Sequence, residues 1–276
     1  MQIGLVGLQY SGKTTLFSTL SEKDYDEVIA SKDDAKIEVV KVPDKRLDKL
    51  TEIFNPKKQV NATIEVFDTP GLQMSDDGKV KITNEFLGNV RDNDALVYVI
   101  RQFGEESVFH PMNNVDPVRD VEFLETEFLL ADLAFFENRI EKVKKDYNKS
   151  KDENLKREIP VLEKCYSHLE KEKPLRTLKI DDNERKILSG YQLLSLKNLV
   201  IAVNFDEDSM DEVDSLLSSI REAVNLEGVS IIPFFAKIEY EMSQLDDEDK
   251  TEFMQDYGIE EAAKDKLLRT SYEVLG

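Results

Sequence analysis

The segment Gly7-Leu-Gln-Tyr-Ser-Gly-Lys-Thr14 fits the pattern G-x-x-x-x-G-K-[ST], which is informative about both fold and ligand. It follows an apolar run at residues 3–6 and precedes a helix-like segment at 15–20. Its two glycines let the backbone wrap around a polyphosphate with its N–H groups inward, and the positive end of the following helix faces the same charge. The pattern therefore predicts a phosphate-binding loop between a strand and a helix. A glycine-rich turn with a chance lysine is the alternative.

Individual residues of this loop suit different parts of a bound nucleoside triphosphate. The Lys13 ammonium can reach the β- and γ-phosphates and stabilise charge during their cleavage, so we predict a catalytic role for it. The Thr14 hydroxyl can ligate Mg²⁺. The loop residues expected to contact the nucleotide are Gln9, Tyr10, Ser11, Gly12, Lys13, Thr14 and Thr15.

The composition limits the kind of protein that carries this loop. The chain has 276 residues, enough for a full core and a second, smaller module. Its 57 acidic and 37 basic residues give a formal charge of −20, which argues against general, charge-driven binding of nucleic acid, DNA in particular. Cys165 is the single cysteine, and the first strand begins almost at Met1 with no signal peptide before it. We expect a soluble, cytoplasmic protein that does not enter a membrane.

Short apolar runs alternate with amphipathic stretches, a pattern typical of a mostly parallel sheet covered by helices. The candidate strands are residues 2–6, 36–42, 62–67, 95–101, 199–203 and 229–233. Gly7, Asp68 and Asn204 each follow one of them, and ligands of open α/β sheets bind at the carboxyl ends of strands. We therefore predict an α/β fold of the P-loop NTPase, G-domain-like type, with these three residues at one edge of the sheet.

A long helical segment interrupts the alternation. Residues 122–173 are rich in Leu, Lys and Glu with apolar residues near helical spacing, and a polar stretch at 146–153 divides them. We expect two helices joined by that stretch, in a helical hairpin domain at 122–190 inserted into a nucleotide-binding domain made of 1–121 and 191–276. Lysines cluster near the tip, where they either contact RNA phosphate or form an ordinary solvated helix end: Lys142, Lys144, Lys145, Lys149 and Lys151.

Two later motifs complete a nucleotide site. Asp68-Thr-Pro-Gly71 closes the third candidate strand, where the carboxylate can hold Mg²⁺ through water and the Gly71 amide can approach a γ-phosphate. Asn204-Phe-Asp-Glu207 follows the fifth, where small G proteins carry N-K-x-D. The aspartate of N-K-x-D accepts hydrogen bonds from two guanine donors that adenine lacks. Here Glu207 is longer and Phe205 replaces the lysine, so guanine specificity is weakened. A polar turn after a buried strand is the alternative.

These motifs and several longer segments resemble, in order, the YchF/Obg-like ATPase family of translation-factor-related P-loop GTPases. The longer segments are Val42-Pro-Asp-Lys-Arg-Leu-Asp48, Asn114-Val-Asp-Pro-Val-Arg-Asp120, Glu125-Thr-Glu-Phe-Leu-Leu-Ala-Asp-Leu133, Leu162-Glu-Lys-Cys165 and Ala236-Lys-Ile-Glu-Tyr-Glu-Met-Ser-Gln-Leu-Asp-Asp-Glu-Asp-Lys250. The resemblance implies a preference for ATP over GTP, read by an N-x-x-E motif, and a role near the ribosome or in translation and stress control.

The resemblance also implies roles for two residues outside the motifs. Ala236 matches the small residue that lies beside the base after the last strand. His110, in the loop after the fourth strand, matches a histidine implicated in hydrolysis. Without the resemblance, a histidine in a loop is more often structural or merely exposed.

Three departures from the family pattern concern the switch segments and the end of the chain. Ser31-Lys-Asp33 stands where the family has Cys-Thr-Ile, so a threonine that could close on Mg²⁺ is missing. The loop at 73–83 keeps only Gly78, and Leu72 stands where Ras-like enzymes place a water-orienting glutamine. The family continues into a TGS domain where this sequence stops, so we expect either a truncated chain or a natural paralogue without that domain.

The leading hypothesis is Mg²⁺-dependent hydrolysis of ATP, or of GTP, by in-line attack of water on the γ-phosphate. The altered switch segments keep a second hypothesis open, a nucleotide-binding interaction module with little or no hydrolysis. A GTP-specific switch protein is a third. The expected partners are the nucleotide, Mg²⁺ and, through the helical hairpin, the ribosome or its RNA.

Overall fold

A computed structural model describes residues 1–30, 36–72, 82–104, 108–224, 229–256, 259 and 261–275. The described residues form a sheet in the order β2-β3-β1-β4-β5-β6. The strands are β1 (Gln2–Val6), β2 (Lys36–Lys41), β3 (Thr63–Asp68), β4 (Ala95–Arg101), β5 (Asn198–Asn204) and β6 (Ser230–Phe234). β2 and β3 pair antiparallel, and the other neighbours pair parallel. The predicted mostly parallel sheet is confirmed, and each predicted strand end lies within one residue of the observed one.

The helices are α1 (Lys13–Ser21), α2 (Tyr25–Ala30), α3 (Lys45–Phe54), α4 (Asn84–Arg91), α5 (Pro117–Ser150), α6 (Glu153–Leu169), α7 (Asp182–Leu188), α8 (Val213–Val224), α9 (Ala236–Ser243), α10 (Asp247–Asp256) and α11 (Ala263–Leu275). Several begin at side-chain caps. The Asp44 carboxylate accepts a hydrogen bond from the Arg46 N–H (2.9 Å) at the start of α3. Within the described ranges, no helix combines the length and the apolar character needed to cross a membrane.

A hydrophobic core packs the sheet against α1 and α11. Ile3, Leu5 and Val97 of the central strands are fully buried there, together with Leu16 and Leu268 of the two helices. β4 is buried at all its positions, as expected for a central parallel strand. This core fixes the carboxyl ends of β1, β3 and β5, from which the candidate site is built.

The chain divides into two compact units, Met1–Asp120 with Asn198–Gly276, and Val121–Lys197. The predicted insertion ended at residue 190, whereas the second unit extends to Lys197. A buried carboxylate accounts for this longer boundary, since Asp132 accepts hydrogen bonds from the N–H groups of Leu194 (3.0 Å) and Ser195 (2.8 Å). These bonds join the segment after α7 to α5.

The predicted connection at 146–153 between the two long helices is wrong. α5 continues to Ser150 and α6 begins at Glu153, so only Lys151 and Asp152 join them. Lys151 has a φ of 56°, which ends α5, and the Asp152 carboxylate caps α6 by accepting a hydrogen bond from the Asn154 N–H (2.7 Å). Polar residues do not interrupt a helix whose end is solvated, which is why the polar stretch remains largely helical.

Candidate nucleotide-binding site

Two positions of the loop between β1 and α1 admit only glycine. Gly12 has a φ of 95°, in the left-handed region, and a Cβ built on it would lie 2.3 Å from Asn204 Nδ2. A Cβ on Gly7 would lie 2.4 Å from the carbonyl oxygen of Val99. The two glycines therefore let the loop lie directly against β4 and the end of β5.

Lys13, the first residue of α1, is almost completely buried. Its Nζ donates hydrogen bonds to the carbonyl oxygens of Gly7 (3.0 Å) and Leu8 (2.9 Å), so the side chain folds back over the loop. Burial lowers the pKa of Lys13 to about 8, although the nearby Asp68 carboxylate acts in the opposite direction. An anion bound at the loop would stabilise the charged form of this lysine.

Thr14 and Asp68 meet where β3 ends. Thr14 Oγ1 donates a long hydrogen bond to Asp68 Oδ2 (3.4 Å). Among the described residues, Asp68 Oδ1 and Ser11 Oγ are buried and have no hydrogen-bond partner. Burial raises the pKa of Asp68, against the opposing effects of Lys13 and Lys36. Because Mg²⁺ prefers hard oxygen ligands, a hydroxyl beside a carboxylate with an unused oxygen fits that ion.

Gly71 and Leu72 lie against the phosphate loop. A Cβ on Gly71 would be 3.2 Å from both Lys13 Nζ and Gln9 Cα, so the backbone approaches the lysine closely there. The Leu72 N–H donates to the Gly7 carbonyl (3.3 Å), and the Leu72 carbonyl accepts from the Gln9 N–H (3.0 Å). The Leu72 side chain is buried and has no polar group with which to orient water.

Asn204 links the phosphate loop to the segment after β6. Its Nδ2 donates to the Ser11 carbonyl (3.1 Å), and its Oδ1 accepts from the Ala236 N–H (3.1 Å). Its own carbonyl accepts from the N–H groups of Gln102 (2.8 Å) and Phe103 (3.1 Å). One buried asparagine therefore holds together the loop, the end of β4 and the start of α9. The sequence predicted a contact with the base for Asn204 and gave no signal for this bridge.

A pocket of about 780 Å³ opens beside the loop at the carboxyl ends of β5 and β6. Predicted site residues among those lining it are Gly12, Thr15, Asn204, Phe205, Glu207 and Ala236. Others that sequence reasoning missed are Tyr25, Phe103, Gly104, Asp206, Asp208, Phe235, Lys237 and Tyr240. The volume is in the range of pockets that bind a small organic ligand.

The position predicted to read the base carries an ion pair. Glu207 Oε1 lies 2.8 Å from Lys237 Nζ. Phe205, at the position of the lysine in N-K-x-D, is buried, and its ring centre is 5.9 Å from that of Phe235. Lys237 follows Ala236 directly in the sequence, but no pattern in the chain signals its pairing with Glu207.

His110 is not among the residues that line this pocket. Its Nε2 lies 3.0 Å from Asp120 Oδ2, and its Nδ1 accepts a hydrogen bond from the Met112 N–H (3.1 Å). Because Nδ1 accepts, the proton of the neutral ring is on Nε2, which donates to Asp120. Arg119 Nη2 binds the other oxygen of Asp120 at 2.7 Å. Burial lowers the pKa of His110. Both ring nitrogens are engaged, which favours the structural alternative, and the role of His110 in hydrolysis stays a prediction.

The switch residues singled out at 31–33, and the loop at 73–81 with Gly78, lie outside the described residues. Of the predicted site residues, Gln9, Gly71 and Asp68 lie at the phosphate loop, and Tyr10 is half-exposed on it with a φ of 64°.

Comparison with known proteins places this chain in a family. Residues 2–164 match the family described as 50S ribosome-binding GTPase. The ribosome-binding ATPase YchF of Haemophilus ducreyi is 36% identical over 276 residues, which covers 99% of this chain and 75% of that protein. The YchF protein of Bacillus subtilis is 34% identical over 277 residues, with the same coverage. The solved structure of the Schizosaccharomyces pombe YchF GTPase is 28% identical and superimposes with a TM-score of 0.83 over 100% of this chain and 75% of that one. The chain therefore belongs to the YchF family of P-loop NTPases.

Proposed function

We propose that this protein is an Mg²⁺-dependent nucleoside triphosphatase that cleaves the γ-phosphate of ATP. The single observation that carries the proposal is the cluster at the end of β1 and β3. Lys13 Nζ lies beside Gly71, and the Thr14 hydroxyl faces Asp68, which keeps a second, unpartnered oxygen among the described residues. The names of the relatives, ribosome-binding ATPase and GTPase, support the same activity.

The residues of the chain have separate tasks in this proposal. The N–H groups of the loop and of Gly71 bind phosphate oxygens, and Lys13 exchanges its bonds to the Gly7 and Leu8 carbonyls for the β- and γ-phosphates. Thr14 and, through water, Asp68 would hold Mg²⁺, which when bound neutralises charge on the β- and γ-phosphates. Catalysis is then mainly positioning and electrostatic stabilisation.

The residues that the structure describes provide few groups that could position the attacking water. Leu72 is apolar and buried, and both ring nitrogens of His110 bind other protein groups. We therefore infer that intrinsic turnover is slow in the free protein. A second candidate function is therefore a nucleotide-binding module whose hydrolysis depends on a partner.

Phosphate release from MgATP tests the proposed reaction. We expect turnover in the wild-type protein and its loss in Lys13→Ala, because the γ-phosphate then has no lysine to stabilise it. Lys266→Ala, at an exposed lysine of α11, is the matched control and should retain wild-type turnover. Binding of MgATP without phosphate release above the Lys13→Ala background would establish the binding module instead.

We also propose that the pocket prefers adenine to guanine. Glu207 is longer than the aspartate of guanine-specific sites, and its pairing with Lys237 competes with hydrogen bonds from guanine. Glu207→Asp restores the shorter carboxylate, so the affinity ratio of GTP to ATP should rise. An unchanged ratio would mean that Glu207 does not read the base.

Association with the ribosome is proposed to involve the tip of the α5–α6 hairpin. Residues 142–157 carry seven cationic and three anionic side chains, in a chain of net charge −20. Lys142, Lys145 and Lys149 are exposed and have no ion-pair partner among the described residues, whereas Lys144 pairs with Glu163 (2.7 Å). These free ammonium groups suit contact with RNA phosphate.

Co-sedimentation with ribosomes at several salt concentrations tests the role of the tip. Replacing Lys145 and Lys149 by glutamate should weaken binding and flatten its salt dependence, since fewer phosphate contacts release fewer counterions. Replacing Lys171, an exposed lysine after α6, is the control. Equal binding by the tip variant and the control would remove the hairpin tip from the interface.

A further inference from the structure

Helix α3 has an apolar side that nothing in the described structure covers. Leu50, Ile53 and Phe54 occur at the spacing of one helical face and are 51%, 63% and 73% exposed, and none of the residues of α3 is buried. Val60, in the segment after the helix, is 67% exposed. We call these four residues the α3 surface. Large apolar side chains grouped in this way on a soluble domain indicate a binding site.

Hydrogen bonds connect the segment that carries the α3 surface at its start and at its end. Asp44 caps the helix and also binds the Arg46 guanidinium. The segment that carries Val60 is tied back to the helix, because Gln59 Nε2 donates to Asp48 Oδ1 (2.7 Å). The helix is thus ordered before any partner arrives, which lowers the entropic cost of binding.

A groove of about 760 Å³ adjoins the first turn of α3. Lys45 and Leu47 of α3 line one side, and Met254 of α10 and Tyr272 of α11 line the other. The groove and the apolar face involve the same helix, and this arrangement fits a folded or helical protein segment. A flat bilayer surface cannot enter such a groove.

Charge indicates the nature of that segment. Residues 45–58 contain five cationic and two anionic side chains, and Lys45, Lys49, Lys57 and Lys58 are exposed with no ion-pair partner among the described residues. Among the described residues, the lining of the groove itself is balanced, with four carboxylates (Asp44, Glu261, Asp265 and Glu273) and four cationic groups (Lys45, Arg46, Lys250 and Arg269). The cationic excess therefore lies on α3 and the segment that follows it, at residues 45–58. Pairing of this surface with its equivalent on a second copy would bring like charges together, which argues against a symmetric dimer.

We propose that the α3 surface is a docking site for an acidic amphipathic helix of a partner protein. The apolar side of that helix covers Leu50, Ile53 and Phe54, and its carboxylates pair with Lys45 and Lys49. RNA would contact the lysines but would leave the apolar side chains of Leu50, Ile53 and Phe54 exposed. The site is separate from the nucleotide pocket and does not depend on the proposed hydrolysis.

Fluorescence anisotropy with a labelled synthetic peptide tests the proposal. The probe is a 20-residue helix-forming peptide with Leu or Phe at every third and fourth position and Asp or Glu elsewhere, and the control peptide has the same composition in scrambled order. We expect saturable binding of the first peptide that weakens about tenfold in Phe54→Ser, corresponding to one buried apolar side chain. Lys49→Glu should weaken binding further at low salt. Val39→Ser, at a 64% exposed position of β2, should bind as the wild type does.

Three results would overturn the docking site. One is the absence of saturable binding to the acidic peptide, and another is equal binding of the scrambled peptide. The third is a Phe54→Ser variant that binds the peptide as tightly as the wild type does but binds vesicles of phosphatidylserine and phosphatidylcholine, or a single-stranded RNA, more weakly. Because Phe54 is largely exposed, circular dichroism should show that the variant is folded.

Discussion

Replacing Asn204 by alanine should destabilise the phosphate loop, because this side chain bridges two segments that are far apart in sequence. The change removes the bond from Nδ2 to the Ser11 carbonyl and the bond from the Ala236 N–H to Oδ1. Both groups then lose their side-chain partner next to the nucleotide pocket.

The expected loss follows from the burial of each partner. The half-buried Ala236 N–H can reach water, so losing its bond costs about 1 kcal/mol. The Ser11 carbonyl lies in a buried environment, where a missing donor costs about 1 to 3 kcal/mol. We therefore expect Asn204→Ala to lower the free energy of unfolding by about 2 to 4 kcal/mol.

Asn198, at the other end of β5, provides a matched control. Its Nδ2 makes one exposed hydrogen bond, to the Val274 carbonyl (2.6 Å), so Asn198→Ala should cost at most about 1 kcal/mol. Urea unfolding followed by far-ultraviolet circular dichroism suits a chain that has no tryptophan. If both variants lose the same free energy of unfolding, Asn204 does not act as a bridge between the phosphate loop and the start of α9.

Gly12→Ala should abolish nucleotide binding, because the added Cβ meets Asn204. In the control Gly88→Ala a Cβ has open space within α4, so this variant should bind nucleotide normally and gain up to about 1 kcal/mol in the free energy of unfolding. Titration with a fluorescent nucleotide measures binding, and urea unfolding measures stability. Asp68→Asn should weaken MgATP binding more than binding of metal-free ATP, and equal weakening in calorimetric titrations would remove Asp68 from the metal site. Burial lowers the pKa of His110, so an NMR titration should find less than half of its ring protonated at pH 6.5. Because the unfolded chain binds this proton more readily, the contribution of His110 to the free energy of unfolding is present above the ordinary histidine pKa and is lost as the pH falls through the lowered pKa, and His110→Gln should reduce that loss.

Local sequence predicts the sheet and the phosphate loop well because each depends on neighbouring residues. An apolar run of strand length, such as β4, is stable when it is buried within the sheet. The two loop glycines occupy positions where a Cβ would clash with neighbouring atoms. A repeating strand–helix pattern does not predict that β2 pairs antiparallel with β3.

Contacts between distant segments account for what sequence reasoning missed. The bridge by Asn204 spans 193 residues to Ser11, and the pairs of Glu207 with Lys237 and of His110 with Asp120 depend on how loops fold over strand ends. The connection between α5 and α6 differs from the predicted one for another reason. Polarity at 146–150 reflects solvation and does not indicate a break in the helix.

We propose that the loop at Gly7–Thr14 and the pocket beside Asn204 bind ATP with Mg²⁺. Equilibrium titration of a fluorescent ATP analogue, displaced by unlabelled ATP or GTP, tests it in wild-type protein and in Lys13→Ala. We expect wild-type binding, stronger displacement by ATP than by GTP, and affinity at least tenfold lower in Lys13→Ala, the loss of about one charge-assisted interaction. The claim is contradicted if neither nucleotide binds, if Lys13→Ala binds as tightly as the wild type, or if GTP displaces the analogue better than ATP.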